Sequence, residues 1–331
     1  MKKIGVLGAG TWGMALTRML CLSGHCVTVW SALEKEIDEF SATRRHPNLP
    51  GMEIPAQVAF TKDIQAACEG MDIVLFAVPS PFVRSTARKA APYITAGQII
   101  VDVAKGIEED TLFTMTQIIA DEIKNPAVKL VALSGPTHAE EVAKDLPTTI
   151  VSACEDMETA QLVQQVFSNE FMRVYTNTDV LGVELCGAMK NIMALGSGIA
   201  LGLGFGDNIK AALITRGMAE IVRLGRAMGC DEHTFYGLAG VGDLIVTATS
   251  VHSRNNRCGM LLGQGVKPDE AKARVGMVVE GINALSAAMR LMEHYKVEMP
   301  IVRAVNNVVN CGADPYTEVM ALMHRDQKPE C

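Results

Sequence analysis

Near the start of the chain, Gly8-Ala9-Gly10-Thr11-Trp12-Gly13 has the residue types and spacing to hold a diphosphate. In such a G-x-G-x-x-G, the first glycine permits a tight turn and the second lets the backbone approach the phosphates. The third lets a helix pack closely on a strand. A helix opening there offers unbonded N–H groups and its positive dipole end to an anion. Lys105 follows an apolar run at 99–103, and the carboxyl ends of parallel strands open onto a ligand crevice where an ammonium can hold an oxygen anion. A solvated loop lysine is the plainer reading. Lys190 follows the uncharged residues 185–189, so it emerges from an apolar helix. Burial and a neighbouring cation such as Lys105 would there ease loss of its proton and suit it to acid–base work. The alternative is a lysine snorkelling to solvent. Gly135 and Thr137 follow another apolar run at 130–134. A backbone N–H and a hydroxyl could donate to an anion at that point, although an ordinary Gly-Pro turn explains the same residues. Asp243, just after Gly240 and Gly242, orients Lys190, binds a substrate hydroxyl or caps the next helix, and Thr247 one turn on shares its face. Ser253-Arg254-Asn255 sets a planar guanidinium between a hydroxyl and an amide, a donor set that fits phosphate. Arg257 reads as a surface helix residue.

The elements that must position these groups are legible in outline. Strands are predicted at 3–7, 27–30, 72–78, 99–103, 130–134 and 148–151, with helical patterns at 12–23 and 111–123. Short apolar strands alternating with helices imply a parallel sheet covered on both faces. After about residue 175 the spacing turns helical, with long stretches at 183–203, 210–228 and 279–294. The predicted division is 1–178, a nucleotide-binding α/β domain, and 179–331, an all-helical domain carrying the substrate site.

Composition narrows the class. With 331 residues, 49% hydrophobic and 20% charged, the chain can bury two cores. A net charge of −7 speaks against nucleic acid, which needs a basic excess, but not against a small anion held in a locally positive cleft. The nine cysteines, scattered from Cys21 to Cys331 without a C-x-x-C pair, read as reduced thiols. Arg18 interrupts the apolar start, so no signal peptide is expected, and 192–205 is too short and glycine-rich to cross a bilayer. The expected setting is cytoplasmic, with no membrane and no nucleic-acid partner.

Six segments stand in a telling order: Ala104-Lys105-Gly106-Ile107-Glu108, Ser134-Gly135-Pro136-Thr137-His138-Ala139-Glu140-Glu141, Gly187-Ala188-Met189-Lys190-Asn191, Gly240-Val241-Gly242-Asp243-Leu244, Ser253-Arg254-Asn255 and Val278-Val279-Glu280-Gly281. With the glycine loop they resemble the bacterial-type NAD(P)-dependent glycerol-3-phosphate dehydrogenases, from Lys3 to about Met320. The resemblance implies a Rossmann-type parallel-sheet α/β domain followed by an all-α domain like the C-terminal one of 6-phosphogluconate dehydrogenase. It implies reversible hydride transfer at C2 of sn-glycerol 3-phosphate and dihydroxyacetone phosphate, supplying the glycerol phosphate of phospholipids. Lys190 matches the family's proton acceptor, with Lys105 and Asp243 beside it as catalytic groups. Substrate contacts carried over are Lys105, Gly135, Thr137, Lys190, Asn191, Asp243, Thr247, Ser253, Arg254 and Asn255. Cofactor contacts are Gly8, Gly10, Thr11, Trp12, Gly13, Lys105, Ala139, Arg254, Val278 and Glu280. His138 is not used by the family and is set aside. No metal is expected, since hydride transfer to nicotinamide needs none.

The family carries Arg or His where this chain has Ala32, beside the 2′-phosphate of NADP. Glu34 is the acid considered for the ribose diol of NADH, and Lys35, Arg44 and Arg45 could return positive charge if the following loop folds back. Use of both NADH and NADPH, with discrimination below about tenfold, is the expectation. The helical half could form a homodimer interface. Two other readings stay open at this point, a related 3-hydroxyacid dehydrogenase of the same two-domain plan and an inert NAD(P)-sensing protein. The presence of both Lys190 and Lys105 speaks against the second.

Overall fold

In the N-terminal half, apolar runs of four to six residues become strands of one eight-stranded sheet, ordered β3-β2-β1-β4-β5-β6-β7-β8. The structure is a computed structural model, and it describes residues 1–327 and 329–330. Cys331, one of the cysteines read above as thiols and the end of the predicted second domain, lies outside the described residues. The strands are β1 (Lys3–Leu7), β2 (Cys26–Trp30), β3 (Ala59–Thr61), β4 (Ile73–Phe76), β5 (Ile99–Asp102), β6 (Lys129–Ser134), β7 (Thr148–Ala153) and β8 (Met172–Asn177). The helices between them are α1 (Thr11–Leu22), α2 (Glu34–Thr43), α3 (Val83–Ala90), α4 (Met115–Ile123), α5 (Ala139–Val142) and α6 (Met157–Phe167). Strand order reverses at β1, which lies between β2 and β4, and this switch point is where a parallel sheet opens a crevice.

Both faces of the sheet are covered. Ile73 and Leu75 of β4 join one buried cluster with Ile4, Val6 and Val101, while Val74 and Phe76 join another with Leu7 and Ile100. Each fully buried side chain of this size stabilises the fold by about 1.5–3 kcal/mol, which is why these strands read as unbroken apolar runs.

The sheet is parallel, as expected, except at one pair. β6 and β7 run antiparallel, with Leu133 opposite Ser152. The link between them carries only the four-residue α5, too little helix to cover a face as a parallel crossover does. The chain instead returns along the sheet edge, and β7–α6–β8 then forms an ordinary parallel unit. β3 and β8 were not predicted. β3 has three residues, and β8 is an edge strand that alternates buried and exposed side chains, Met172 and Val174 in, Arg173 and Tyr175 out.

The C-terminal half is helical: α7 (Val180–Gly202), α8 (Asp207–Met228), α9 (Glu232–Phe235), α10 (Asp243–Thr249), α11 (Arg254–Gly263), α12 (Pro268–Val275), α13 (Glu280–Tyr295), α14 (Pro300–Asn310) and α15 (Pro315–Met323). Helix α7 is long and apolar enough to cross a bilayer by composition, yet 89% of that window is buried inside the protein, as in a core helix. By contacts the chain divides into two units, one of residues 1–108 and 113–184, the other of 109–112 and 185–331.

In the helical unit α7 and α11 meet through glycines. A Cβ on Gly198 would lie 2.1 Å from the Asn256 carbonyl oxygen, and one on Gly202 would lie 2.2 Å from that of Met260. The reverse holds too: on Gly259 it would lie 2.1 Å from the Leu195 oxygen, and on Gly263 2.2 Å from that of Ile199. Each helix therefore presents a small-x-x-x-small face, and the two backbones touch.

Candidate active site and family

The loop from β1 to α1 has the form expected of a diphosphate cradle. Gly8 adopts φ +119°, and a Cβ there would lie 2.7 Å from the Ala77 carbonyl oxygen. A Cβ on Gly13 would lie 2.4 Å from the Gly8 oxygen, whereas one on Gly10 would meet nothing within 4 Å. Gly8 and Gly13 thus serve the turn and the packing, and Gly10 leaves open space. No side chain caps the N-terminus of α1, so its first N–H groups face that space with the dipole's positive end. Thr11 Oγ1 is buried without a hydrogen-bond partner inside the protein. These features fit a dinucleotide phosphate, with Trp12 in the same first turn.

At the end of β5 the chain turns through Ala104, Lys105 and Gly106. A Cβ on Gly106 would fall 2.5 Å from that of Ser80, so the turn is pressed onto the segment after β4. Lys105 Nζ donates to the Gly135 carbonyl at 3.1 Å, and Thr137 Oγ1 donates to the same oxygen at 3.1 Å. The two strand ends that carry Lys105 and Gly135 are thereby joined, with Ala139 opening α5 just beyond. Three residues before Lys105, Asp102 is 2% exposed, and burial, then the charge of Glu184, hold its carboxyl well above the usual range. Glu184 accepts hydrogen bonds from Thr114 Oγ1 (2.7 Å), Thr116 Oγ1 (2.6 Å) and Thr116 N (2.8 Å), which fastens the start of α7 to the start of α4. Neither carboxylate was foreseen, because each has meaning only through its partners.

In the helical unit, Lys190 and Asp243 come together from 53 residues apart. Lys190 is 6% exposed and Asp243 0%. The Lys190 ammonium donates to Asp243 Oδ1 at 2.5 Å and to Thr247 Oγ1 at 2.7 Å, while Thr247 donates to the Asp243 carbonyl. Lys190 therefore does not snorkel to solvent, and its partner in this unit is a carboxylate. Asp243 is not the cap of α10. Gly242 holds that position, and a π-helical turn at Leu238–Gly242 runs directly into the helix. Such widened turns concentrate at functional sites, and this one delivers Asp243 inward.

The glycine contact between α7 and α11 brings the start of α11 beside the Lys190 turn. Asn255 Nδ2 donates to Asn191 Oδ1 (2.9 Å), Asn255 Oδ1 accepts the Gly281 N–H (2.8 Å), and Asn191 Nδ2 donates to the Gly187 carbonyl (3.1 Å). One buried amide thus ties α7, α11 and the start of α13, where Val278 and Glu280 lie. Ser253 caps α11 by accepting the Asn256 N–H (3.2 Å), a bond that leaves its O–H proton to donate elsewhere. Arg254, the first residue of α11, is exposed, as is Arg257. A separate cavity of about 470 Å³ in this unit, walled by Ile199, Leu213, Ile301 and Val305, contains none of these groups. Among the described residues no cluster of three or more His, Cys, Asp or Glu is placed to hold a metal ion.

At the end of β2 two acids stand in the first turn of α2. Glu34 lies 3.6 Å from Lys62 Nζ. Glu36, two positions further along, is the acid that returns to the strand end, where Ser31 Oγ donates to its Oε2 at 2.6 Å. The clue available in the sequence was an acid in the first turn of the helix directly after a strand.

Two family models match the chain, the N-terminus of NAD-dependent glycerol-3-phosphate dehydrogenase over residues 3–160 and its C-terminus over 179–320. A glycerol-3-phosphate dehydrogenase (NAD(P)+) 2 of Lactobacillus delbrueckii subsp. bulgaricus is 66% identical over 100% of this chain and 99% of its own length. One from Agathobacter rectalis is 50% identical over 100% and 98%. The crystal structure of glycerol-3-phosphate dehydrogenase from Coxiella burnetii superposes with a TM-score of 0.94 at 35% identity, covering 98% of this chain and 99% of that one. The chain belongs to the NAD(P)-dependent glycerol-3-phosphate dehydrogenase family.

Proposed function

We propose that Lys190 is the proton donor and acceptor of the reaction. The chain is an oxidoreductase that interconverts sn-glycerol 3-phosphate and dihydroxyacetone phosphate with NADH or NADPH, the step that supplies glycerol phosphate to phospholipids. The observation that carries the assignment is a buried ammonium held by one carboxylate and one hydroxyl. A nicotinamide cofactor, when bound, supplies or takes the hydride at C2. Lys190 gives its proton to the carbonyl oxygen during reduction and recovers it from the hydroxyl during oxidation, while Asp243 and Thr247 hold Nζ in place. The glycine loop and the α1 N-terminus bind the dinucleotide phosphates, with Lys105 as a contact of cofactor and substrate. The substrate phosphate lies at the N-terminus of α11, where Arg254 and the Ser253 O–H add to the helix's own N–H groups. Asn191 and Asn255 act through the tie they form.

The proposal extends to a division of labour, with 1–178 binding nucleotide and 179–331 binding substrate. It also extends to a cytoplasmic setting without nucleic-acid or membrane partners, and to the helical half as the surface of a homodimer. The test is oxidation of NADH and NADPH with dihydroxyacetone phosphate, compared with simple 3-keto acids. Faster turnover of the keto acids would overturn the substrate assignment.

A further inference from the structure

We infer that Glu36 makes this chain an NADH enzyme, favouring NADH over NADPH by tenfold or more. The inference rests on the nucleotide reading of the glycine loop and goes beyond the near-even use that Ala32 by itself suggests. The Gly8 N–H donates to the Trp30 carbonyl at 2.8 Å, so the loop and the end of β2 form one surface. A dinucleotide on that loop sets its adenosine ribose over the end of β2. There Ser31, 6% exposed, accepts the Leu33 N–H (3.1 Å) and donates to Glu36 Oε2 (2.6 Å). The half-buried Glu36, in the first turn of α2, is therefore clasped against the strand end by a fixed hydroxyl. A carboxylate in that place accepts hydrogen bonds from the ribose diol and repels a 2′-phosphate of nearly two negative charges.

The cations of the region are spent elsewhere or stand in the open. Arg44 Nη1 donates to the Val58 carbonyl (2.8 Å), and its guanidinium lies over the Phe60 ring. Lys62 Nζ is 2.7 Å from Asp38 and 3.6 Å from Glu34. Lys35 and Arg45 are exposed, and Ala32 offers no polar atom beyond its backbone. Of the carboxylates on the first turns of α2, Glu34 and Asp38 face Lys62, and Glu36 is the one held at the strand end.

The experiment compares kcat/KM for NADH and NADPH in wild type, Glu36→Gln, Ser31→Ala and Lys62→Ala. Calorimetric Kd values for ADP and 2′,5′-ADP on the same proteins read the ribose site without turnover. Glutamine keeps an acceptor for the Ser31 hydroxyl and the same helical turn, so a purely structural clasp survives Glu36→Gln while the charge does not. The expected result is a wild type that favours NADH at least tenfold and binds ADP more tightly than 2′,5′-ADP. Glu36→Gln then shrinks both ratios at least fivefold, chiefly by lowering KM for NADPH, with kcat nearly constant. Ser31→Ala moves them the same way by less. A wild type that favours NADPH, a Glu36→Gln ratio within twofold of wild type, or selective loss of NADPH use in Lys62→Ala would each overturn the inference. Loss of dihydroxyacetone phosphate turnover with normal ADP discrimination would instead refute the substrate assignment and leave Glu36 in its role.

Discussion

Gly10 of the first unit and Gly198 of the helical unit do opposite work. In the β1–α1 loop, Gly10 faces open space, with nothing within 4 Å of where a Cβ would stand. In the α7–α11 contact, Gly198 and Gly259 have a carbonyl oxygen 2.1 Å from that same point. The first glycine leaves room for a ligand that is not part of the fold, and the second lets one helix backbone press on another. A glycine pattern thus carries two kinds of information, distinguished by what would fill the space of a Cβ. The contact also has a functional consequence: by seating α11 on α7 it places Asn255 and Asn191 in bonding distance, and with them the start of α11 near Lys190.

The largest expected effect removes the chemistry and spares both glycine regions. Lys190→Ala should lower kcat by 10²–10⁴, roughly 3–5 kcal/mol of barrier, while ADP binding at the loop stays within a few-fold of wild type. A variant that keeps most of its kcat with dihydroxyacetone phosphate would dismiss Lys190 as the acid–base group.

The glycine comparison itself breaks on a matched pair of substitutions. Gly198→Ala forces a methyl into a backbone oxygen, and a loss of about 3 kcal/mol or more in chemical denaturation is expected. Gly10→Ala, at an extended φ of −70° that alanine adopts readily, should change stability by less than about 0.5 kcal/mol, yet weaken NADH binding by tenfold or more. Equal loss of stability in the two would show that the loop is packed as tightly as the seam.

A third test reaches the far side of the helical unit. Glu220 of α8, 3% exposed, accepts the Ile301 and Val302 N–H groups at the start of α14. Burial pushes its carboxyl up to about 7, from the ordinary 4.5 that it regains on unfolding. The fold thus favours the protonated form, so the stability linked to this group is complete below pH 4.5 and is lost as pH rises through about 7. The full loss is about 3 kcal/mol. Glu220→Gln should raise the melting temperature at pH 8 relative to wild type and not at pH 4.5. Parallel pH profiles for the two proteins would exclude Glu220 as the source.

The smallest effect belongs to the exposed end of the seam. Arg254→Ala should raise KM for dihydroxyacetone phosphate, by the about 1.5–3 kcal/mol of a hydrogen bond to a charged group. Stability should be unchanged, because the side chain is on the surface. An unaltered KM would move the phosphate away from the N-terminus of α11, with Lys105 the next place to probe.

Much was determined by the sequence alone, wherever the determinant is local. Apolar runs at 27–30, 99–103 and 130–134 became buried strands, and helical spacing at 183–203 and 279–294 became α7 and α13, since strand and helix periods act over a few residues. The glycine loop was legible because its turn, its opening and its helix N-terminus all lie within six residues. Lys190 could be nominated from the uncharged stretch before it, and the ordered motifs assigned the family. Only the tertiary structure decided that Asp243 and Thr247 hold that lysine, that Asn255 bridges to Asn191 and Gly281, and that β7 turns back beside β6. It alone also chose Glu36 over Glu34 for the end of β2. These outcomes depend on groups distant in the chain, or on one helical turn's rotation. A hydrogen bond needs its partners within about 3 Å, closer than composition or spacing can specify before the chain has packed.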